Sequence, residues 1–245
     1  MHDEISDRLE SLRIEMRDRL GPFRDLQMTL PDSGDNLQLS QPSDFDALLE
    51  AASGDPEQNL PYWAEIWPSG IALADEILAQ PELVRGKRVL EIGSGLGVTA
   101  SAAMMVGTDL TIADYSPESL LLCRYNALFN SGREPASLQI NWRDPSTALR
   151  ELAVSGFPVV LAADVLYESR DIEPLLDLVD WLVAPDGLFW LAEPGRNVAE
   201  RFIEHALERG WNDATSFHAG PWPDPRDFNV AVTVHQLRRQ SSPER

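Results

Sequence analysis

The sequence predicts an α/β fold, in which a doubly wound, mostly parallel sheet of seven strands carries helices on both faces. From residue 70 onward, short apolar runs alternate with segments of helical periodicity, as in strand–helix–strand units. The run 157–163 is apolar on both faces, as expected for a strand inside a parallel sheet. No helix separates the last two predicted strands, so we expect them to be antiparallel neighbours and the last strand to be antiparallel.

The first 60 residues predict an N-terminal extension that is helical at its start. An amphipathic helix is expected over 3–20, because one apolar stripe recurs at spacings of three and four: Ile5, Leu9, Leu12, Met16 and Leu20. We expect this helix to pack on the main domain, and a partner-binding arm is the alternative. Residues 31–60 are rich in Pro, Ser, Asp, Gly and Asn, which predicts irregular structure with one short helix at 43–52. The predicted organisation is an extension over 1–60 and a main domain over 61–240.

The main domain is expected to alternate helices and strands. The periodicity predicts helices at 71–80, 97–106, 117–130, 171–184 and 198–210. It predicts strands at 87–92, 109–113, 137–141, 157–163, 187–193, 212–218 and 228–236. Pro117 stands in the first turn of its helix, and Gly210 ends the last one.

The charge balance is strongly acidic, with 40 acidic residues, 20 Lys and Arg, and a net charge of −20. Such a surface repels a phosphate backbone, so no nucleic-acid partner is expected. A cationic partner, such as a lysine-bearing protein, is favoured, and general solubility is the alternative explanation. The N-terminus is charged without an apolar signal region, and no apolar run reaches about 18 residues. We therefore expect a cytoplasmic protein with no membrane partner.

The reactive side chains outside the glycine-rich stretch predict no other chemistry. Cys123, the single cysteine, excludes an intrachain disulfide and lies in an apolar helix, where we expect a core position. No metal site is expected, because metal-ligand spacing is absent among His2, His205, His218 and His235. The sequence also contains neither a nucleophile elbow nor a Walker loop.

The stretch "VLEIGSGLGVTA", residues 89–100, predicts a ligand site at the end of the first strand of the sheet. Glycines in such a turn let a ligand approach the backbone, and ligands of doubly wound sheets bind at the carboxyl ends of strands. A dinucleotide fingerprint needs a glycine where Val98 stands. Glu91 suits a ligand with a cationic amino group better than a pyrophosphate.

The next strand ends at Asp114, 21 positions after Gly93. A carboxylate at that place accepts hydrogen bonds from ribose hydroxyls, and an ordinary solvent-facing loop residue is the alternative. Asp114 fits a dinucleotide or S-adenosylmethionine. Glu91 and Val98 shift the balance to S-adenosylmethionine.

Three stretches carry a resemblance to a known family. "EIGSGLG" with Asp114 resembles the cofactor motif of class I, seven-strand methyltransferases, which share a Rossmann-like fold. "PYWAEIWPSGIALADEIL", residues 61–78, and "LAADVLYE", residues 161–168, resemble the subgroup that contains protein lysine methyltransferases, including those acting on an electron-transfer flavoprotein subunit. Asp164 and Tyr167 match the Asp-x-x-Tyr motif of that subgroup. The resemblance covers about residues 60–236.

The resemblance implies a role for each site residue. It implies that Glu91, Gly93 and Gly95 contact the methionine part of S-adenosylmethionine, with Gly97 in the same motif. It assigns the ribose to Asp114 and the adenine to Trp142, which follows Asn141 where the subgroup often has Asp. Trp67, and Trp63 beside it, are implied to line the pocket. Asp164 is implied to lie beside the sulfonium and hold the acceptor amine, and Tyr167 to orient the acceptor.

Asp164 has no basic residue near it in sequence. A buried carboxylate is costly unless it is paired, and a sulfonium or a substrate amine would supply the pairing. A helix N-cap is the alternative role.

The function expected from the resemblance is an S-adenosylmethionine-dependent methyltransferase that acts on a protein lysine. A small-molecule methyltransferase on the same fold is an alternative, and would use the first 60 residues as a lid where a protein enzyme leaves the strand ends open. A catalytically inactive cofactor-binding interaction protein is another. A nicotinamide oxidoreductase is disfavoured by Val98.

Overall fold

The computed structural model describes residues 2–54 and 60–239. Its α-helices are α1 (His2–Leu20), α2 (Phe45–Ala52), α3 (Pro68–Ala79), α4 (Val98–Met105), α5 (Pro117–Ser131), α6 (Thr147–Leu152), α7 (Ile172–Leu182) and α8 (Asn197–Glu208). Its strands are β1 (Phe23–Thr29), β2 (Asn36–Pro42), β3 (Arg88–Ile92), β4 (Asp109–Asp114), β5 (Ala136–Gln139), β6 (Phe157–Ala163), β7 (Val183–Glu193), β8 (Trp211–His218) and β9 (Val232–Arg239). Within these residues, no helix has both the length and the apolar character needed to span a membrane.

The main sheet confirms the predicted fold class. Its seven strands run in the order β5-β4-β3-β6-β7-β9-β8. The strands from β5 to β7 pair in parallel, whereas β9 is antiparallel to both β7 and β8. The strand order reverses between β3 and β6, and that switch point is where ligands of doubly wound sheets bind.

The sheet is buried between two apolar layers. Along β6, Val159 and Leu161 belong to the cluster that contains α3 and α4 residues, whereas Val160 and Ala162 belong to the cluster that contains α7 and α8 residues. Because successive side chains of a strand point to opposite faces, a run of apolar residues fills both layers. This arrangement confirms the interpretation of 157–163 as a central strand.

The N-terminal helix packs on the main domain, as the sequence predicts. Leu12, Met16 and Leu20 of α1 are buried against α5 residues that include Leu121 and Tyr125. At the rim of this contact, surface ion pairs such as Arg8–Glu134 and Arg19–Glu118 join α1 to the α5 region. Exposed pairs of this kind contribute up to about 1 kcal/mol each, so the buried leucines and methionine dominate the attachment.

The prediction of irregular structure over 31–60 is wrong for β2, which forms an antiparallel hairpin with β1. The free edge of β2 is satisfied by two amide side chains of α5. Asn126 accepts from Ser40 N at 2.8 Å and donates to Ser40 O at 3.1 Å, and Asn130 makes the same pair of bonds to Gln38 at 2.9 and 2.8 Å. The hairpin is therefore held in place by α5 residues that lie about 90 positions later in the sequence. The composition of the hairpin segment alone predicts a loop.

The short helix predicted at 43–52 is confirmed as α2. The sequence did not predict α6. Residues 55–59 of the predicted irregular segment lie outside the described residues, as do residues 1 and 240 at the ends of the two predicted domains.

Gly97 is required at the point where α4 begins. It has a φ of +82°, and a Cβ added there would lie 2.7 Å from Cys123 Sγ and 3.0 Å from Cys123 Cα. The absence of a side chain therefore lets the start of α4 touch α5. Cys123 is fully buried in this contact, which confirms its predicted core position.

We expect Gly97→Ala to destabilise the fold by about 2–5 kcal/mol, because a left-handed backbone costs about 1–2 kcal/mol and overpacking adds about 1–3 kcal/mol. Gly107→Ala is the matched control: its φ is +90°, but the nearest atom to an added Cβ is Arg85 Cγ at 4.0 Å. Urea unfolding of both variants measures the difference. Equal losses of unfolding free energy in the two variants would show that the contact with Cys123 does not contribute to the destabilisation.

Candidate functional site

A cavity of about 500 Å³ opens at the carboxyl ends of the central parallel strands. This volume lies in the range of small-molecule and cofactor sites. The structure brings most of the predicted site residues to its wall, namely Trp63, Trp67, Gly93, Gly95, Asp114, Trp142, Asp164 and Tyr167. Glu91 and Gly97 do not line it. Gly97 faces Cys123 instead.

Asp114 ties the glycine turn to the start of α5. Its Oδ2 accepts from Gly95 N at 3.3 Å and from Ser119 Oγ at 2.8 Å, while Oδ1 accepts from Ser116 N at 3.0 Å. Burial raises the pKa of Asp114, and these donors lower it in part. Gly93 completes the turn with a φ of +74°, where an added Cβ would lie 2.6 Å from Val165 Cγ1. The missing side chain at Gly93 therefore makes room for Val165, and the backbone of Gly93 and Gly95 lines this side of the cavity.

Glu91 lies below the turn rather than in the cavity wall. Its side chain is buried, and one of its carboxyl oxygens has no hydrogen-bond partner. Burial, reinforced by the nearby Asp114, raises the pKa of Glu91 well above its usual range. The implied contact of Glu91 with a ligand stays a prediction.

Trp142 lines the cavity on the β5 side, and a hydrogen bond to a buried carboxylate holds its indole in place. Its Nε1 donates to Asp171 Oδ1 at 3.1 Å. Arg143 binds both carboxylate oxygens of the same fully buried Asp171, at 2.6 and 2.9 Å. Asn141 also lines the cavity, and its Oδ1 accepts from Arg143 N at 2.9 Å. Sequence reasoning did not single out Asp171, because its contacts with 142 and 143 join segments almost thirty residues apart.

Asp164 follows β6 directly and stands in a left-handed backbone conformation, with a φ of +58°. Its Oδ1 forms an ion pair with Arg196 Nη1, and its Oδ2 accepts from Ser69 Oγ at 3.2 Å. The side chain is only 7% exposed. Burial raises the pKa of Asp164, and Arg196 offsets part of that rise.

This environment bears on two expectations about Asp164. The sequence offered a sulfonium or a substrate amine as the partner of its carboxylate, and the structure provides Arg196, 32 residues away, as a resident partner. The alternative role as a helix N-cap is wrong, because residues 165–168 are not helical and the 3₁₀ turn Ser169–Asp171 that follows has no side-chain cap.

Arg196 is placed by a network at the end of β7. Glu193 Oε2 accepts from Gly195 N at 2.6 Å and from Arg196 N at 3.2 Å, which fixes the turn. Behind Glu193, His235 of β9 contacts Asp213 at 2.7 Å and Glu193 at 3.6 Å. None of these residues was predicted for the site. The available signal was a charged run directly after a strand next to β6, "EPGR" at 193–196.

Aromatic rings form the remaining wall beside Asp164. Tyr62 packs edge-on against Tyr167 with ring centres 5.7 Å apart, and against Trp67 with centres 6.1 Å apart. Trp67 Nε1 donates to Tyr62 O at 2.9 Å, which fixes the indole. Burial and neighbouring acidic groups, led by Asp171, raise the pKa of Tyr167 to about 12. Tyr167 is therefore a neutral phenol near pH 7 and forms part of the cavity wall.

The N-terminal segment covers part of the cavity. Its contributors to the wall are apolar or long side chains, namely Arg19, Leu20, Leu48, Ala51, Ala52 and Leu60. No residue of α2 is buried, so this helix lies over the cavity without being packed into the core. Over residues 2–54 and 60–239, no group of three or more His, Cys, Asp or Glu side chains is arranged to hold a metal ion.

Comparisons with known proteins give a family and a fold. A family model described as lysine methyltransferase matches residues 58–209, which is more than half of the chain. The electron transfer flavoprotein beta subunit lysine methyltransferase of Rattus norvegicus is 30% identical over 71% of this chain and 64% of its own length. The Danio rerio protein of the same name is 29% identical over 73% of this chain and 66% of its own. The chain thus spans slightly less than two thirds of these relatives.

A structural neighbour supports the fold alone. Magnesium protoporphyrin IX methyltransferase from Synechocystis, solved with bound SAH, superposes with a TM-score of 0.52 at 13% identity, covering 80% of this chain and 95% of that one. The sheet order and this likeness place the chain in the class I methyltransferase fold.

We expect His235 to stabilise the fold in its protonated form. Burial lowers the pKa of His235, but Asp213 and Glu193 outweigh it and raise the pKa to about 9. The contribution is therefore complete below about pH 6.5 and is lost as the pH rises through about 9. The stability difference between the wild type and His235→Gln, measured by urea unfolding, should shrink by about 3 kcal/mol from about pH 6 to pH 10. The matched control is the surface variant His205→Gln, and a pH-independent difference at position 235 would contradict the assignment.

Proposed function

Because this chain belongs to the lysine methyltransferase family, we propose that it transfers the methyl group of S-adenosylmethionine to a lysine side chain of a protein. The observation that carries the proposal is the cavity itself. One wall joins the glycine turn and Asp114, and the same cavity reaches Asp164 and Tyr167. A cofactor site and an acceptor site are thereby adjacent.

The residues present fit S-adenosylmethionine. Asp114 supplies carboxylate acceptors for ribose hydroxyls, Trp142 and Asn141 supply an aromatic face and an amide for adenine, and the backbone at Gly93 and Gly95 is open to the methionine part. When bound, S-adenosylmethionine supplies an electrophilic methyl group on a cationic sulfur. Asp164, which lines the same part of the cavity, supplies further hydrogen-bond acceptors there.

The chain's own groups align the acceptor and exclude water. Asp164 accepts a hydrogen bond from the amine, and the rings of Tyr62, Trp67 and Tyr167 enclose its alkyl chain. The nitrogen lone pair forms the new bond to the methyl carbon, while the electrons of the broken bond remain on sulfur. An ammonium has no lone pair to give, so the amine must lose its proton to water before transfer, and the methylated product again carries a positive charge.

A small-molecule methyltransferase is the second candidate, and one observation favours it. Leu20, Leu48 and Ala52 of the N-terminal segment line the cavity, as a lid would. Leu60 and Tyr62 at its edge are nonetheless 42% and 39% exposed, which supports access for a protein side chain. The net charge of −20 supports a basic protein partner and disfavours nucleic acid or an anionic membrane. We propose action in the cytoplasm, on the sequence expectation alone.

The test is methyl transfer to a defined protein. The chain is incubated with methyl-labelled S-adenosylmethionine and the purified β subunit of electron transfer flavoprotein, the protein named in its relatives, and then with lysate from the same source. Mass spectrometry that locates label on a lysine would support the proposal. Label found only in the small-molecule fraction would favour the second candidate, and cofactor binding without any transfer would favour an interaction protein.

Asp114→Ala should weaken S-adenosylmethionine binding by about 1–3 kcal/mol, because a charged hydrogen-bond acceptor is lost. Asp114→Asn, which retains the shape, should weaken it less. Calorimetry measures both, with Asp109→Ala as the control, since Asp109 is exposed at the opposite end of the same strand. Unchanged affinity in both Asp114 variants would remove this residue from the site.

Asp164→Asn should lower kcat/KM for the protein acceptor at least about 100-fold, which corresponds to about 2.7 kcal/mol of transition-state stabilisation. Asparagine tolerates the left-handed backbone as well as aspartate does, so the local chain path persists. Steady-state kinetics, with circular dichroism to check folding, provides the measurement. Asp186→Asn, at an exposed position of β7, is the control, and a near-normal rate for Asp164→Asn would contradict the role of Asp164.

A further inference from the structure

We propose that Arg196 is a positioning residue that neutralises Asp164, so that an acceptor amine beside Asp164 is held by a hydrogen bond yet stays unprotonated and nucleophilic. This inference rests on the proposed function. It assigns to Arg196 an effect on the protonation state of the acceptor, not merely on the placement of a loop.

The ion pair leaves room for the amine. Arg196 occupies Asp164 Oδ1, and Ser69 occupies Oδ2 at 3.2 Å. A carboxylate offers about four lone-pair positions, so both oxygens keep acceptor capacity. Asp164 lines the cavity, whereas Arg196 does not. The guanidinium therefore approaches the carboxylate from behind, and the cavity side remains available to a ligand.

An isolated carboxylate at this place would work against methyl transfer. A nearby negative charge stabilises an ammonium and raises the pKa of the amine, while burial lowers it. Lysine is protonated near neutral pH in water, so a further rise would leave almost no nucleophile. A positive charge on the far side of the carboxylate cancels most of that effect, because the amine then faces a pair with no net charge.

The other charged groups near the pair do not replace Arg196. Glu193 from β7 and Asp227 from the β8–β9 connection both interact electrostatically with Asp164 and are acidic. His235 contacts Glu193 and Asp213 rather than Asp164 itself. Tyr167 is neutral below about pH 12. Arg226 also acts on Asp227 but is paired with Asp224. Among residues 2–54 and 60–239, Arg196 is thus the cation that forms an ion pair with Asp164.

The arrangement of the turn supports a fixed role for Arg196. Glu193 holds the backbone N–H groups of both Gly195 and Arg196, so the start of the side chain is anchored to the sheet. These bonds join the Glu193 side chain to backbone N–H groups and do not involve the side chain at 196, so they persist when that side chain changes. Substitutions at this position therefore change the charge beside Asp164 without removing the contact that shapes the turn.

The test compares Arg196→Gln, Arg196→Lys and the wild type through the pH dependence of kcat. The acceptor is a synthetic peptide around the lysine that mass spectrometry identifies as methylated. In Arg196→Gln the acid limb of the profile should shift to higher pH by at least about one unit. At a pH below that limb, kcat of the variant should be about tenfold lower than kcat of the wild type. Arg196→Lys should restore most of the profile. Arg209→Gln is the control, because this substitution also removes one positive charge. Arg209 forms its ion pairs in a surface cluster with Asp177, Asp180 and Glu173.

A second readout does not depend on turnover. The same peptide is titrated calorimetrically into each variant saturated with S-adenosylhomocysteine, in two buffers of different ionisation enthalpy, at a pH between the two acid limbs. The wild type should release close to one proton per peptide bound, because the acceptor amine loses its proton on binding. Arg196→Gln should release markedly less, because the amine keeps its proton beside an uncompensated carboxylate. His235 is unchanged in both chains, so its own titration cancels in the comparison.

The outcomes separate this inference from the proposed function. Wild-type chain that methylates no lysine would overturn the proposed function and this inference with it. Active wild type with an unshifted pH profile and unchanged proton release in Arg196→Gln would overturn the role of Arg196 alone. A lower kcat in Arg196→Gln that is equal at every pH would show a structural role and would likewise overturn it.

Discussion

The cost of burying carboxylates along one edge of the sheet shapes the whole site. Parallel strands end at the same edge, and β4, β6 and β7 lead there into Asp114, Asp164 and Glu193. An unpaired buried carboxylate costs several kcal/mol, so each one needs a partner of its own. Asp114 takes backbone N–H groups and a serine hydroxyl, Asp164 takes a guanidinium, and Glu193 takes the backbone of the turn that follows it. The segments that satisfy Asp114, at Gly95 and Ser116, are also part of the cavity wall.

The kind of partner gives the two ends of the cavity different electrostatics. Asp114 is compensated by uncharged donors and keeps its negative charge when ionised, which suits an array of neutral hydroxyls. Asp164 is compensated by a full positive charge, so its oxygens accept hydrogen bonds without a net charge behind them. One end of the cavity therefore suits a sugar, and the other suits an amine that must remain neutral. Under the proposed function, the separation of the two acids orients the methyl transfer.

The parts of this structure that the sequence predicts are those encoded locally. The apolar runs mark β3, β4, β6 and β7, and the glycine turn with Asp114 marks the switch point, because each signal lies within one or two neighbouring elements. Trp142, Asp164 and Tyr167 reach the cavity because strand ends meet at one edge, whereas Trp67 reaches it from the residue that precedes α3.

The parts that the sequence does not predict depend on distant contacts. The hairpin of β1 and β2 depends on Asn126 and Asn130, and the charge balance at Asp164 depends on Arg196, 32 residues further along the chain. Gly97 shows a different difficulty. The motif places it with the ligand-binding glycines, but its missing side chain makes room for Cys123. A glycine pattern shows that something approaches closely, and it does not show whether that is a ligand or a neighbouring helix.

The most direct test of this account is a crystal structure of the chain grown with S-adenosylhomocysteine. We expect a ligand in the described cavity, with the ribose hydroxyls bonded to Asp114, the adenine against Trp142 and the sulfur on the side of Asp164. The Arg196–Asp164 ion pair should persist in that structure. A ligand seated elsewhere, or one in the cavity with its sulfur directed away from Asp164, would contradict the account.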